Sequence, residues 1–211
     1  MDSNKITAFV RFGLVAAACL AAASIWASSA ETEEAFLLDA TTWQEEVIPG
    51  GDWPGDGWFR LQPRGGSVDV RAVRPGAADP GASEALYVRL PGTALQQGER
   101  AAYAAAEVLA RPRLETDYEL TLGATRFQLR VESGAKGMQY AIGYGGRTYT
   151  YLLGPFDATR TGVRAVADLD GDSYPDFLVD VDQLTYLLLS TRALPGYNRP
   201  AAQSWALDQA F

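Results

Sequence analysis

Four aspartates in one short segment carry the clearest chemical signal in this sequence. They are Asp168, Asp170, Asp172 and Asp176, at positions 1, 3, 5 and 9 of a nine-residue loop. Carboxylates held so close together repel one another unless a cation lies between them. Calcium takes roughly six to eight oxygen ligands in a flexible geometry, so this spacing predicts a calcium site.

The rest of the loop indicates how the ion would be held. Gly171 relieves crowding between the acidic residues, and the main-chain carbonyl of Tyr174, at position 7, is the expected carbonyl ligand. An EF-hand would place a glutamate at position 12, where this chain has Val179. The flanking residues have the pattern of strands, so we predict a calcium loop within a β-hairpin at residues 163–182.

Residues 167–179 resemble the FG-GAP/VCBS type of calcium loop, which occurs in integrin α-chains and many bacterial surface proteins. The resemblance implies calcium ligation by the four aspartates and by the Tyr174 carbonyl. Ser173 departs from the family, which usually has glycine there, and a positive φ costs serine on the order of 1 kcal/mol. The upstream Phe-Gly…Gly-Ala-Pro signature is missing, and the loop pattern occurs once.

The wider stretch of residues 114–195 resembles a group of exported bacterial proteins to which no activity is assigned. Those proteins carry one such loop late in the chain, followed by a strand that ends in a Leu-Ser-Ser-like segment. Residues 187–191, Leu-Leu-Leu-Ser-Thr, fit that description. The resemblance implies an exported protein and no particular chemistry.

Period-two patterns predict a mainly β fold, an antiparallel sandwich or barrel-like single domain with few short helices. Gly145-Gly146 predicts a primed hairpin turn between two of the strands. The predicted strands are 68–73, 86–90, 118–122, 127–131, 140–144, 148–152, 163–167, 177–181 and 184–189.

Two segments favour helix less clearly. Thr42 and Glu45 have capping-box spacing, which predicts one or two helical turns over residues 41–47. Residues 101–110 are rich in alanine, the best helix former, but they fit a strand under tertiary control equally well.

The N-terminus has the order of a secretory signal peptide. A weakly positive start is followed by an apolar run, residues 12–23, and by small residues, which predicts cleavage after Ala30. The run is short for a membrane span, and a retained anchor is the alternative to cleavage. We therefore expect residues 1–30 to be a signal peptide and residues 31–211 to be one β-rich domain, periplasmic or secreted, with no membrane span after cleavage.

Composition restricts the chemistry. The chain has no histidine and one cysteine, Cys19, which lies in the predicted signal, so the usual Ser–His or Cys–His nucleophiles and zinc sites are disfavoured. A net charge of −8 argues against nucleic-acid binding. We expect a non-enzymatic exported protein with one calcium-stabilised hairpin, serving envelope structure or binding a protein or glycan partner.

Two alternatives remain at this point. One is a carbohydrate-binding module that uses Trp53 and Trp58, or the tyrosine-rich strands, as stacking faces. The other is a hydrolase built on two carboxylates. Its candidate residues lie near the two tryptophans: Glu45, Glu46, Asp52 and Asp56. The ordinary interpretation is that these tryptophans are anchors of the core or of loops, and that the tyrosines 140, 144, 149 and 151 pack across strands.

Overall fold

The computed structural model describes residues 34–77, 83–103, 106–155 and 158–204, which lie in one compact unit. The predicted signal peptide, residues 1–30, lies outside the described residues. No helix within these ranges combines the length and the apolar character needed to cross a membrane. The described chain is mainly β and sandwich-like, with no closed barrel in these ranges, and this confirms the predicted fold class.

Strands account for most of the described chain. In order they are β1 (Phe36–Asp39), β2 (Trp58–Arg64), β3 (Ser67–Val73), β4 (Leu86–Arg89), β5 (Gly98–Ala101), β6 (Asp117–Leu122), β7 (Thr125–Gly134), β8 (Gly137–Tyr144), β9 (Arg147–Leu153), β10 (Thr161–Ala167), β11 (Asp176–Val181), β12 (Leu184–Leu188), β13 (Gly196–Asn198) and β14 (Ala202–Gln203). Every predicted strand coincides with one of these, with small differences at the ends.

The strands form three sheets. Sheet A has the order β1-β4-β2-β3-β5, sheet B the order β10-β11-β12-β14, and sheet C the order β13-β9-β8-β7-β6. All named pairs are antiparallel except β13 and β9, which run parallel. Gly145 and Gly146, with φ of 58° and 72°, form the β8–β9 turn, and positive φ at both positions is what the predicted primed turn requires.

Sheet B lies between the other two and is buried on both faces. Phe177 and Val179 pack with the inner side chains of sheet C, whereas Leu178 and Leu187 pack with those of sheet A. Successive residues of a strand point to opposite faces, so burial on both sides requires an uninterrupted apolar run. The Phe-Leu-Val sequence at residues 177–179 meets that requirement and places the aspartate loop at the end of a rigid central hairpin.

Short helical elements complete the fold. They are α1 (Ala40–Thr42), a π-helical turn (Trp43–Val47), α2 (Ala106–Ala110) and a 3₁₀ turn (Ser190–Arg192). The prediction of helical turns at residues 41–47 is confirmed, but the predicted capping box is wrong. The Asp39 carboxylate accepts the Thr42 amide at 2.7 Å, and Thr42 itself makes no capping hydrogen bond.

The alanine-rich segment divides between its two interpretations. Strand β5 ends at Ala101, and helix α2 begins at Ala106. Ala102 forms an isolated bridge with Ala167, at the end of β10. Tertiary pairing therefore decides the first residues of the segment, and helix propensity accounts for the last ones.

Candidate metal centre

The aspartate loop closes the first hairpin of the central sheet. Strand β10 ends at Ala167, which is paired with Asp176, the first residue of β11. Both flanks are strands, as predicted, so the loop is held at its two ends by the ladder of sheet B. This anchoring fixes the first and last positions of the loop relative to each other.

Three of the four aspartates come together. Asp168, Asp170 and Asp176 each offer one carboxylate oxygen, and these atoms all lie within 4.8 Å of one another. Calcium–oxygen distances are about 2.3–2.6 Å, so ligands on opposite sides of one ion lie about 5 Å apart. Among the described residues this is the one group of three or more acidic, cysteine or histidine side chains with that spacing.

Asp176 is the buried floor of the cluster, with 0 % of its surface exposed. Its Oδ2 accepts the Leu169 amide at 2.8 Å, and its Oδ1 accepts the Ser190 amide at 2.8 Å. Burial raises the pKa of Asp176 well above its usual value, the charge of Asp170 adds to the rise, and these hydrogen bonds oppose it. A bound cation would favour the ionised carboxylate and oppose the effect of burial.

Asp170 is half-buried, and a serine-threonine pair beyond β12 contacts the loop beside it. The Thr191 hydroxyl donates to Asp170 Oδ2 at 2.5 Å. Burial raises the pKa of Asp170, the Thr191 hydrogen bond opposes this, and the charges of Asp172 and Asp168 add to the rise. For both Asp170 and Asp176, burial is the largest cause of the raised pKa, and repulsion from neighbouring carboxylates adds to it.

Asp172 stands apart from the three clustered carboxylates. Its Oδ1 accepts the Tyr174 amide at 2.8 Å, and its Oδ2 lies 2.8 Å from the Ser190 hydroxyl. The same hydroxyl lies 2.8 Å from Asp176 Oδ1. One hydroxyl proton cannot serve both carboxylates at once, so Ser190 links Asp172 to the cluster without satisfying both.

Asp168 is held by a basic residue from another sheet. Arg100, in β5, donates from Nε to the Asp168 carbonyl at 2.9 Å and from Nη2 to its carboxylate at 3.3 Å. The Gly171 amide donates to the other carboxylate oxygen at 2.7 Å. Sequence reasoning missed Arg100, Ser190 and Thr191. The Leu-Ser-Ser-like segment at residues 187–191 was the only signal that could have indicated the last two.

The loop uses backbone conformations that suit glycine. Gly171 has a φ of +87°, and a Cβ there would lie 2.6 Å from the Gln96 side-chain oxygen. Ser173 has a φ of +71°, the conformation expected from its position in the loop. Its carbonyl accepts the Thr125 hydroxyl at 2.8 Å, which holds this strained residue against β7.

Contacts from all three sheets converge on the loop. On the side of sheet A, Arg100 binds Asp168, and the main-chain N–H of Gln96 donates to the Leu169 carbonyl at 2.8 Å. Ser190 follows β12 of sheet B. On the side of sheet C, the Tyr174 ring lies 5.0 Å from the ring of Tyr144, which stacks on Tyr149 at 4.3 Å. The loop therefore sits where the edges of three layers meet.

The structure corrects the predicted role of Trp58 as a residue that stacks on a sugar. Trp58 is 1 % exposed, and its indole nitrogen donates to the Pro54 carbonyl at 2.7 Å. Its ring packs against Trp43 at 5.1 Å and lies within 6.1 Å of the half-buried Trp53. A sugar needs a free ring face for stacking, and Trp58 has none because helical turns cover this side of sheet A.

The other aromatic and acidic candidates are placed as the ordinary interpretation expects. The four tyrosines lie in the core between sheets B and C: Tyr140, Tyr144, Tyr149 and Tyr151. The four carboxylates proposed for a hydrolase are exposed: Glu45, Glu46, Asp52 and Asp56. Asp56 lies 3.9 Å from Arg89. Neither set forms an enclosed site.

Comparison with protein-family models, with curated proteins and with solved structures gave no match to this chain.

Proposed function

We propose that this chain is an exported, non-enzymatic β-protein in which one calcium ion stabilises the aspartate loop, in support of envelope structure or partner binding. The observation that carries the proposal is the approach of the Asp168, Asp170 and Asp176 carboxylates to within 4.8 Å of one another. Their chemistry is all-oxygen and anionic, which suits a hard cation.

Calcium fits this donor set better than the other common metals. The chain has no histidine, and zinc sites usually draw on histidine or cysteine. Magnesium demands near-ideal octahedral geometry at about 2.1 Å, whereas calcium accepts irregular shells of carboxylate and carbonyl oxygens. A loop with glycine and serine at positive φ offers such an irregular shell, with Asp172 and the Tyr174 carbonyl as further expected ligands.

The position of the loop supports a structural role for the ion. Arg100 in sheet A, Thr125 in sheet C and Ser190 in the 3₁₀ turn after sheet B all contact the loop. Metal that binds only the folded loop adds its binding free energy to the stability of the fold. An ion at this point would therefore hold the packed sheets together, with no catalytic step.

Thermal unfolding of the purified protein in excess calcium, in excess magnesium and in EDTA tests the proposal. Calcium at about 100 times its Kd adds about 2.7 kcal/mol to the free energy of unfolding, which raises Tm by about 5–10 °C. Asp170→Asn should abolish that rise. Asp52→Asn, which removes an exposed aspartate outside the loop, should retain it.

Three results would contradict the proposal. The first is the same Tm in calcium and in EDTA for protein shown to be metal-free. The second is an equal rise with magnesium, which would assign the site to divalent cations in general. The third is an Asp170→Asn variant that retains the full calcium response.

A further inference from the structure

Strand β6 is an open edge of sheet C. It has six residues and, within the described ranges, pairs with β7 and with no other strand. Its register with β7 is regular, without a bulge, and it contains no proline and no lysine. Bulges, prolines and lysines are devices by which natural proteins keep edge strands from pairing with other chains. Strand β6 therefore lacks three of the usual protections of an edge.

The other sheet edges are shorter or are covered by described residues. Strands β13 and β14 have three and two residues. The outer side of β1 is bridged by Ser204, and β5, a strand of four residues, continues into a bridge between Ala102 and Ala167 of sheet B. Helix α2 packs on β10, and the main-chain N–H of Tyr103 donates to the Val166 carbonyl at 2.8 Å. In the part of the chain that the structure describes, β6 is thus the longest strand edge left open.

A tight turn determines which main-chain groups of β6 are free. A two-residue loop joins Leu122 to Thr125, and these two residues are paired. Gly123 has a φ of 57°, as the first central residue of a type II′ hairpin turn requires. The residues that flank such a turn exchange main-chain hydrogen bonds, and bonded and non-bonded pairs alternate from there along the strand. Leu122, Leu120 and Tyr118 therefore direct their main-chain N–H and C=O groups to β7.

The alternate residues of β6 direct their main-chain groups outward. The N–H and C=O groups of Asp117, Glu119 and Thr121 point away from β7 and make no hydrogen bond with another part of the described chain. An unpaired row of this kind is a template for an additional strand. Each of the three residues can exchange a pair of main-chain hydrogen bonds with a residue of that strand.

The side chains of β6 form two rows that an added strand would meet. On the core side, Leu120 and Leu122 are buried, and Tyr118 packs against the same cluster between sheets B and C. On the solvent side, Asp117 and Glu119 are exposed. Successive side chains of a strand point to opposite faces, so a partner strand needs apolar residues at alternate positions and groups that suit carboxylates at the others.

The solvent-side row is acidic at the edge itself. Asp117 binds Arg130 at 3.1 Å, and the same guanidinium contacts Glu132 at 2.5 Å, so one cation serves two carboxylates. Glu119 makes no hydrogen bond or ion pair with a described residue. The other arginine on this face of β7, Arg126, lies one strand behind the edge. Residues directly opposite one another on two strands have Cβ atoms about 4.5–5.5 Å apart, so the charges nearest to an added strand are the two carboxylates of β6.

We propose that β6 binds an extended segment of a partner protein in which lysine or arginine alternates with apolar residues, as a further strand of sheet C. Its basic side chains face Asp117 and Glu119, and its apolar side chains extend the core-side row of β6. Main-chain hydrogen bonds supply the affinity of such strand addition, and the alternate side chains supply its specificity. A second copy of this chain fits less well, because two β6 strands would align four carboxylates along one seam. Such a partner goes beyond the proposed function and does not require the calcium site.

Fluorescence anisotropy with a labelled peptide tests this inference. The probe has the sequence Thr-Val-Lys-Val-Lys-Val-Thr, which reads the same in both directions and therefore presents its lysines to the two carboxylates in either strand orientation. A second peptide has glutamate in place of both lysines. A third carries N-methyl groups on the two lysine amides, which would point at β6.

The three peptides should differ in affinity in EDTA as well as in calcium. We expect the lysine peptide to bind at least about fivefold more tightly than the glutamate peptide at low ionic strength, because opposite charges across two strands attract and like charges repel. The N-methylated peptide should not bind, since it cannot donate the hydrogen bonds of strand pairing. A failed calcium response would leave these expectations unchanged.

Variants locate the binding at β6. Thr121→Pro removes one outward N–H, and proline is tolerated on an edge strand where that group faces solvent, so the variant should fold and bind the lysine peptide about tenfold or more weakly. Glu119→Lys should weaken the lysine peptide and strengthen the glutamate peptide, a reversal that a loss of structure would not produce. The matched control is Glu46→Lys, which makes the same charge change at an exposed position on the side of sheet A. It should leave both affinities unchanged.

Absence of binding by the lysine peptide would overturn the inference, as would equally tight binding of the N-methylated or the glutamate peptide. Equal weakening by Glu46→Lys would also overturn it, because the attraction would then be a general charge effect. Light scattering after size-exclusion chromatography tests the remaining occupant. A wild-type dimer that Thr121→Pro converts to a monomer would assign the edge to a second copy of this chain instead.

Discussion

Arg100 reaches across from β5 to Asp168, with Nε 2.9 Å from the carbonyl oxygen and Nη2 3.3 Å from the carboxylate. The two residues belong to different sheets and lie 68 positions apart in the chain. The contact gives the first aspartate of the loop a positive neighbour before any metal binds. It also places the positive guanidinium group of Arg100 close to the proposed calcium position.

Replacing Arg100 should therefore destabilise the metal-free protein but strengthen the stabilisation by calcium. In EDTA, Arg100→Gln should lower the free energy of unfolding by about 1 kcal/mol, because a partly exposed charged hydrogen bond is lost. In calcium, the rise in Tm should be larger than in the wild type, since a repelling charge has gone. Arg74→Gln, at an exposed site, should change neither. A smaller calcium response in the Arg100 variant would contradict this electrostatic role.

Ser173 provides a test of backbone strain. At a φ of +71°, serine pays a conformational cost that glycine avoids, so Ser173→Gly should raise the free energy of unfolding by about 0.5–1 kcal/mol. The matched control is Ser133→Gly in β7, where the backbone is that of a strand and glycine should lower stability by about 0.5–1 kcal/mol. Denaturant unfolding in EDTA measures both. A change in the free energy of unfolding with the same sign in both variants would argue against strain at Ser173.

The raised pKa of Asp176 sets a pH dependence. An unfolded aspartate has a pKa of about 3.9, and burial raises that of Asp176 in the folded state, so the metal-free fold binds the proton more tightly. The stabilising contribution is present below about pH 3.9 and is lost as pH rises through the folded pKa. Calcium requires the ionised form, so the calcium-induced rise in Tm should increase across that window.

Thermal melts of the wild type and of Asp176→Asn, with calcium and with EDTA between about pH 4 and pH 8, measure this dependence. The difference between wild type and variant isolates Asp176 from other titrating groups. In EDTA, the Tm of the wild type should fall relative to the Tm of Asp176→Asn as pH rises, because the buried carboxylate becomes charged. A calcium response that is the same at every pH would contradict the assignment of Asp176 as a ligand.

The burial of Trp58 predicts a large stability effect. Trp58→Ala removes a ring that contacts Trp43 and Phe36, and it should lower the free energy of unfolding by about 3–5 kcal/mol. Trp53→Ala should cost less because Trp53 is half-buried at the edge of the cluster. A Trp58→Ala variant as stable as the wild type would contradict the burial of this ring.

Sequence patterns correctly predicted the features that depend on residues close together in the chain. Alternating side chains identified the strands around residues 118–152, and Gly145-Gly146 identified their turn, because each depends on neighbours in sequence. The aspartate spacing likewise indicated the clustered carboxylates. It did not separate Asp172 from the other three, because that depends on Ser190, which arrives from beyond β12.

The missed features all depend on distant contacts. Arg100 follows no motif, and only the packing of sheet A beside sheet B brings it to Asp168. Trp58 lies next to glycine- and proline-rich turns, which normally indicates an exposed position, but the helical turns at residues 40–47 fold over it. The predicted cap by Thr42 does not form because Asp39, one residue before α1, caps the same turn with its carboxylate.

The route of the chain after Leu189 has a consequence for biosynthesis. This segment pairs with sheet C as β13, returns to sheet B as β14, and then forms a bridge from Ser204 to Leu37 in sheet A. These last pairings cannot form until residue 204 has emerged from the ribosome. The three sheets therefore cannot all be closed by these pairings before the segment of residues 196–204 is available to fold.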